Sequence, residues 1–247
     1  MSEPGTSSSS LHWTHTTRVA AVRTLRADTL LSDVPEMRED MDFTCERFLQ
    51  GSQHNRKTSF RRLSGYMLWR SNTTTVRDAD ILESLKARKV FVLRGPNRSG
   101  GPVVVIFAKN HDMFKTPVEE TVKLLTYSLD KAIGQMDRSK GVTEGNVVLD
   151  WEGVGWRSLD VEALKHIMLF FQNYYPERVT TAIFWKAPKV FFTLWTMVKP
   201  FLSESTRAKV AFASGREDLE RIVCAKNLPE HFGGQASNDS MIPIDEL

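Results

Sequence analysis

The sequence predicts an α/β protein in which an N-terminal helical bundle precedes a mostly parallel β-sheet covered by helices. Two observations carry this prediction. Helical periodicity with polar punctuation runs from residue 17 to residue 89, and short β-branched runs alternate with helical stretches over residues 90–234. Strands that alternate with helices favour a parallel sheet, because parallel neighbours need a crossover that a helix usually supplies.

The N-terminal part begins with a polar leader. Residues 1–16 lack the apolar core of a signal peptide, and we expect them to be disordered. After them, apolar residues at helical spacing are separated by Ser, Asp, Pro, Gly and Asn, which commonly end helices. The pattern predicts four helices, Arg18–Leu31, Glu36–Leu49, Lys57–Arg70 and Asp78–Lys89.

The sheet domain, residues 90–234, begins with a predicted hairpin. Its strands, Val90–Leu93 and Val103–Phe107, flank RGPNRSGG, which has the composition of a turn. Helices and strands then alternate as far as Val223. Their predicted order is a helix Val118–Met136, a strand Asn146–Asp150, a helix Ser158–Tyr174, a strand Thr181–Trp185, an apolar helix between Pro188 and Pro200, a strand Lys209–Ala213 and a helix Glu217–Val223.

The start of the first of these helices has a specific signal. Thr116, Pro117 and Glu119 fit a capping box, in which a side-chain oxygen satisfies a free backbone N–H of the first turn. At the other end of the domain, residues 235–247 are interpreted as a C-terminal tail.

Composition and motifs exclude several classes of function. The net charge of +3 is too small to indicate nucleic-acid binding, and Cys45 and Cys224 lie too far apart for a disulfide framework or a cysteine zinc site. The chain has no GxSxG, HExxH or DFG-like motif. We therefore expect no enzyme, no metal and no cofactor. Asp150 and Glu152 fit either a pair of catalytic acids or solvated loop acids, and the second interpretation is favoured.

One segment leaves an enzymatic alternative open. GVGWRS, Gly153–Ser158, follows a predicted strand and opens a helix, as a dinucleotide-binding GxGxxG does. Its third glycine is replaced by Ser158, and a helical bundle precedes the sheet, so an ordinary loop is favoured over an NAD-dependent enzyme.

The most apolar part of the chain is Ala182–Leu202. Its longest uncharged run, Val190–Val198, is shorter than the roughly 20 residues that span a bilayer. Pro188 also prevents one continuous helix. The helix that follows Pro188 is apolar nearly all round, whereas a helix that covers a core with one face has a polar opposite face.

Three polar residues flank this apolar segment. Glu177 precedes the strand Thr181–Trp185, Lys209 opens the next strand, and Thr206 lies one turn before Lys209. If the two strands are parallel neighbours, their amino ends share one edge of the sheet, and the three side chains converge. They then either hold a phosphorylated polyol or leave Glu177 and Lys209 in a surface salt bridge, and spacing alone favours the salt bridge.

Longer stretches of the chain resemble a known family. Asn173–Val210 and LPEHFGG at Leu228–Gly234 resemble the CRAL-TRIO lipid-binding family, which includes retinaldehyde- and tocopherol-binding proteins and fungal phosphatidylinositol transfer proteins. Glu46–Arg70 is similar to the family's N-terminal helical segment, and Val147–Gly153 is similar to its central strand. The resemblance implies an internal lipid cavity.

The resemblance also implies that the helix within Pro188–Phe201 is a gate over this cavity, with one face toward an acyl chain and another toward a bilayer. Its expected outward aromatic residue is Trp195. The residues assigned to the gate and cavity are Val190, Phe191, Phe192, Leu194, Trp195, Met197, Val198 and Phe201.

For the headgroup, the resemblance implies that Glu177, Thr206 and Lys209 hold an inositol phosphate, because they match the family's PER and TxxK motifs. This reverses the preference for a salt bridge. Two departures weaken the site: Ser52 and Gln53 stand where the family has an arginine and a lysine.

Phosphatidylcholine contacts of the fungal proteins are also replaced, by Val104, Gly145 and Val147. We therefore expect phosphatidylinositol to alternate with a less polar ligand such as a sterol or an isoprenoid. The expected protein is a cytoplasmic lipid carrier in transient contact with membranes. The alternative is a non-transferring module that senses lipid or docks a protein with the same apolar helix.

Overall fold

The computed structural model describes residues 19–25, 41–72 and 75–247, and the chain divides into two compact units after residue 72. The first unit contains α1 (residues 19–25), α2 (Met41–Gln50) and α3 (Arg56–Asn72). Apolar side chains of α2 and α3 pack together, with the rings of Phe48 and Tyr66 5.3 Å apart. The predicted leader, half of the first predicted helix and the first five residues of the second, 36–40, lie outside the described residues.

The second unit opens with a 3-10 turn, Asp78–Ile81, and the short helix α4 (Leu82–Lys86). The sequence predicts one helix as far as Lys89, but the chain leaves the helix earlier. Arg88 adopts a left-handed conformation with φ of 49°, which ends the helix and directs the backbone into the first strand.

Six strands form one sheet in the order β5-β4-β3-β2-β1-β6. Strands β2 to β5 are parallel neighbours, and β1 is antiparallel to both β2 and β6. The prediction of a mostly parallel sheet that begins with a hairpin is confirmed. The strands are β1 (Val90–Leu93), β2 (Val103–Phe107), β3 (Gly145–Asp150), β4 (Val179–Trp185), β5 (Val210–Ala213) and β6 (Met241–Pro243).

Helices cover the sheet on both faces. Five helices follow the hairpin: α5 (Val118–Gly134), α6 (Val161–Tyr174), α7 (Lys189–Val198), α8 (Glu204–Ala208) and α9 (Arg216–Glu220). Side chains alternate along each strand, so that Val104 and Val147 pack with α5, α6 and α7, whereas Val105 and Val148 pack with α9 and Phe232. The larger core lies on the α5–α7 face.

Two helix starts differ from their predictions. The N-cap of α5 is Pro117, which has no side-chain acceptor, and the expected capping box is absent because Thr116 instead accepts a hydrogen bond from Lys89. Helix α6 begins at Val161 rather than at Ser158, because Asp160 caps it by accepting a hydrogen bond from Ala163 N at 2.8 Å.

Residues 235–247, interpreted above only as a tail, contribute β6 to the edge of the sheet. Ile244, which follows this strand, is buried in the α5–α7 core. Within the described ranges, no helix has both the length and the apolarity needed to cross a bilayer.

Candidate functional site

Helix α7 is bounded by the two prolines that the sequence identifies. Pro188 occupies the N-cap with extended backbone, and the helix runs from Lys189 to Val198. A 3-10 turn, Lys199–Phe201, follows, with Pro200 in its first positions. Proline is tolerated there because the first N–H groups of a helical turn have no intrahelical partner.

The inner face of α7 lies directly on the sheet. Phe191, Leu194, Trp195 and Val198 recur at helical spacing and are all buried. The ring centroid of Phe191 is 4.5 Å from that of Trp151, which follows β3. The space between α7 and the sheet is therefore filled by aromatic and aliphatic side chains.

The outer face of α7 is also apolar. Val190, Phe192 and Met197 are 47%, 45% and 55% exposed, and Phe201 in the next turn is 52% exposed. The ring of Phe192 lies 5.1 Å from that of Phe212 on the edge strand β5, which is itself partly exposed. Helix α7 thus carries apolar side chains both on the core and toward solvent.

The choice of Trp195 as the outward aromatic residue is wrong. Its side chain is buried, and its ring contacts Phe184 and Phe212 at 6.0 Å each. In a helix that is apolar all round, composition does not reveal which residues face the sheet. Phe192 and Phe201 are the outward aromatic residues.

Glu177 and Lys209 meet at the amino-terminal edge of the sheet. Glu177 lies between α6 and β4 with φ of 52°, and Lys209 lies between α8 and β5. Their side chains form an ion pair, with Lys209 Nζ 2.7 Å from Glu177 Oε2, and both are partly exposed. The parallel pairing of β4 with β5 produces this convergence, as the topology argument expects.

Thr206 makes a separate set of contacts nearby. Its hydroxyl donates to Gln172 Oε1 at 3.1 Å and lies 2.9 Å from Ser203 Oγ. Ser203 caps α8 by accepting a hydrogen bond from Thr206 N. Sequence reasoning did not identify Gln172 or Ser203; the signal available was the position of Ser203 directly before a short helix that opens with Glu204.

Ser52 and Gln53, which stand where the family has basic residues, have different environments in the N-terminal unit. Ser52 is buried, and its hydroxyl accepts a hydrogen bond from Arg62 Nη1 at 3.0 Å. Gln53 is exposed and has φ of 50°. A guanidinium group therefore already lies beside position 52.

The interpretation of Asp150 as a solvated loop acid is wrong. Asp150 is fully buried, accepts a hydrogen bond from Glu152 N at 2.8 Å and lies 2.5 Å from His231 Nε2. Glu152 pairs in turn with Lys186 at 2.6 Å. Asp150, Glu152 and His231 place potential metal-ligand atoms within 4.8 Å of one another, but both carboxylates already have donor partners. The cluster ties the end of β3 to the LPEHFGG segment.

Comparison with known proteins decides the family. Residues 86–234 match the sequence profile of the CRAL/TRIO domain. The chain belongs to the CRAL/TRIO domain family. This confirms the resemblance drawn from Asn173–Val210 and Leu228–Gly234.

Curated relatives of the CRAL/TRIO domain match at low identity. The CRAL-TRIO domain-containing protein C3H8.02 of Schizosaccharomyces pombe is 25% identical over 79% of this chain and 46% of that protein. Phosphatidylinositol transfer protein CSR1 of Eremothecium gossypii is 25% identical, over 63% of this chain and 35% of that protein. Clavesin-1 of Xenopus laevis is 24% identical, over 82% of this chain and 63% of that protein. The chain thus spans less than two thirds of the length of each of these relatives.

A solved structure confirms the fold. The crystal structure of Sfh5 superimposes with a TM-score of 0.67 at 17% identity, and the match covers 85% of this chain and 84% of that one. At this identity the likeness shows a shared architecture and leaves the ligand open.

Proposed function

We propose that this CRAL/TRIO chain binds one lipophilic molecule beneath α7 and transfers or presents it between membranes. The observation that carries the proposal is the distribution of apolar side chains on α7, with Phe191 packed on the sheet and Phe192 exposed to solvent. A helix that only covered a core would gain nothing from the second apolar face, whereas a gate that docks on a bilayer uses both faces.

Binding requires α7 to move away from the sheet. The contacts of Phe191 with Trp151 and Phe184, at 4.5 and 4.8 Å, leave no room for an acyl chain in this arrangement. An acyl chain that takes the place of the Phe191 ring compensates for the contacts that this ring loses, because each buried methylene contributes about 0.8 kcal/mol. Docking of the outer face on a bilayer would supply the alternative environment that α7 needs while it is open.

The ion pair of Glu177 with Lys209 supports phosphatidylinositol as one ligand. A partly exposed pair contributes roughly 0–1 kcal/mol, so either side chain can exchange its partner at low cost. Lys209 would then bind the phosphate and Glu177 would accept hydrogen bonds from inositol hydroxyls, with Thr206 as a neutral third contact. The relative CSR1, whose name identifies a phosphatidylinositol transfer protein, is consistent with this assignment.

The wall beneath the helices supports a second, less polar ligand such as a sterol or an isoprenoid. Val104 and Val147, which replace polar side chains of related fungal proteins, are buried on the α5–α7 face of the sheet. This face therefore offers little to a zwitterionic headgroup. We propose that the two ligands alternate in one cavity, and that the protein acts in the cytoplasm at membrane surfaces without covalent chemistry.

The alternative is a module that does not transfer lipid and uses the outer face of α7 for docking. The filled space between α7 and the sheet favours it, because such a module needs no cavity. A fluorescent-phosphatidylinositol transfer assay between vesicles separates the two functions. The carrier accelerates transfer catalytically, whereas a docking module binds vesicles and leaves the transfer rate at its spontaneous value.

A further inference from the structure

Two exposed aromatic rings lie at the carboxyl edge of the sheet, in loops that the proposed function does not use. Phe114 belongs to the loop after β2, and Trp156 belongs to the GVGWRS segment after β3. They are 61% and 65% exposed, and their ring centroids are 5.6 Å apart. An indole ring is usually mostly buried, because it removes a large apolar area from water. We call Phe114 and Trp156 the loop aromatic pair.

The two loops that carry the loop aromatic pair are bonded to each other. The guanidinium group of Arg157 donates hydrogen bonds to both carboxylate oxygens of Asp112, at 2.8–3.1 Å. It also lies 5.0 Å from the ring centroid of Phe114 and 5.5 Å from that of Trp156. Met113 N donates to the backbone oxygen of Arg157 at 3.0 Å. The rings are therefore held in place before any partner arrives, which lowers the entropic cost of binding.

The charges of the same loops, residues 108–117 and 151–160, are unequally neutralised. Each acid of these loops already has a partner. The pairs are Asp112 with Arg157, Glu152 with Lys186 and Asp160 with His111. Lys109 and Lys115 are exposed, and within the described part of the chain no carboxylate oxygen lies within 4.0 Å of either ammonium group. The loops thus present two aromatic rings together with two cations that have no ion-pair partner.

We propose that the loop aromatic pair inserts into the surface of an anionic bilayer, with Lys109 and Lys115 at the lipid headgroups. Aromatic side chains favour the boundary between headgroups and acyl chains, and lysines near an anionic leaflet are attracted to it. A protein partner fits this surface less well, because lysine is depleted in protein interfaces. Two rings also cover far less than the roughly 800 Å² per partner that a stable protein interface buries.

This surface lies at the same edge of the sheet as the start of α7. Strands β3 and β4 are parallel neighbours and end at that edge. Glu152 of the β3 loop pairs at 2.6 Å with Lys186, which shortly precedes α7. Contact through the loop aromatic pair would therefore turn the carboxyl edge of the sheet toward the bilayer. The inference rests on the proposed contact with membranes, but it requires neither a cavity nor lipid transfer.

Vesicle co-sedimentation of the full chain tests the role of the rings. The vesicles are phosphatidylcholine with about one third phosphatidylserine, an anionic lipid. We expect Trp156→Glu and Phe114→Glu each to weaken binding by about tenfold or more, because a carboxylate replaces a ring that leaves water. Trp156→Phe keeps an aromatic ring and is the matched control, with a change of less than about threefold. Thermal unfolding shows that each variant is folded.

The role of the lysines is tested on the same vesicles and on pure phosphatidylcholine. Lys109→Gln and Lys115→Gln should each weaken binding to the anionic vesicles by about fivefold and leave binding to pure phosphatidylcholine unchanged. Lys226→Gln is the matched control. Lys226 is exposed, and its neighbour Asn227 donates to Pro96 O in the hairpin turn at the opposite edge of the sheet. Equal losses in all three lysine variants would overturn the inference, because they indicate general attraction to the anionic surface.

Tryptophan fluorescence locates the inserted ring. Phosphatidylcholine brominated on its acyl chains should quench the bound wild-type protein, and Trp156→Phe should remove most of this quenching while it still binds. Quenching that is unchanged in Trp156→Phe overturns the inference, as does wild-type vesicle binding by both glutamate variants. Self-association of the wild type that Trp156→Glu abolishes, with no change in vesicle binding, also overturns it and assigns the pair to a contact between two copies.

The outcome for the loop aromatic pair is separable from that for lipid transfer. If Trp156→Glu releases the chain from vesicles but the wild type transfers no lipid, the carrier function is wrong and the docking surface stands. If the wild type transfers lipid and both glutamate variants bind vesicles and transfer lipid as it does, the docking surface is wrong and the carrier function stands.

Discussion

Phe191 and Phe192 are neighbours in sequence, and α7 buries the first and exposes the second. Phe191 is fully buried against Trp151, whereas the ring of Phe192 is 45% exposed beside Phe212. Two chemically identical side chains, one residue apart, therefore separate the role of the inner face from that of the outer face.

The first prediction concerns stability. We expect Phe191→Ala to lower the free energy of unfolding by about 3–5 kcal/mol, because it leaves a cavity among tightly packed rings. The same change at Phe192 removes a half-exposed ring and should cost about 1 kcal/mol. Urea denaturation of the two variants measures both changes in the free energy of unfolding. Equal losses would mean that α7 does not rest on the sheet as described.

The second prediction concerns docking of α7 on a bilayer. Phe192→Glu should slow lipid transfer to vesicles by about tenfold or more while bound lipid in the purified protein stays near the wild-type level, because the closed complex does not use that face. Phe192→Leu keeps the surface apolar and serves as the control. A fluorescent-lipid transfer assay is run beside lipid extraction from the same preparation. Parallel loss of transfer and bound lipid would assign Phe192 to the cavity instead.

A third prediction concerns the headgroup pair. Lys209→Ala and Glu177→Ala should each reduce phosphatidylinositol transfer several-fold while changing stability by less than about 1 kcal/mol, since the pair is partly exposed. Lys186→Ala breaks another partly exposed ion pair of the same domain and provides the matched control. The headgroup assignment fails if both variants transfer phosphatidylinositol at the control rate.

The fourth prediction concerns the replaced basic residues. Gln53→Lys should tighten phosphatidylinositol binding at low ionic strength, and the gain should shrink as salt screens the added charge. Gln53→Glu, of opposite sign, should weaken binding under the same conditions. Ser52→Arg is expected to lower stability instead, because it places a second guanidinium group beside Arg62 at a buried position. Binding that is insensitive to both charges at position 53 would show that this loop does not act on the headgroup.

Sequence patterns predict an element well where residues that are close in sequence determine its backbone geometry. Val90–Leu93 and Val103–Phe107 are β-branched runs around a turn, and Pro188 and Pro200 fix the bounds of α7 because proline limits backbone geometry. Strand β6 is too short to show any periodicity. It forms because β1 offers an unpaired edge, which is a property of the assembled sheet.

The candidate site is only partly predictable for a related reason. Parallel topology brings Glu177 to Lys209, and this follows from counting strands. The contacts of Thr206 with Gln172, the burial of Asp150 beside His231 and the inward direction of Trp195 depend on tertiary packing that no local pattern encodes. Lys89 is similar, since a lysine before a strand normally extends into water, and here Thr116 holds it under α5.

We propose above that the space beneath α7 holds one lipophilic molecule. Native mass spectrometry of the full chain, purified without detergent from a eukaryotic host, tests it most directly, with lipid extraction from the same sample to identify the ligand. We expect one bound lipid per chain, with phosphatidylinositol and a less polar lipid as alternative species. Protein recovered at its bare mass, with no extractable lipid and no uptake from vesicles, would contradict it.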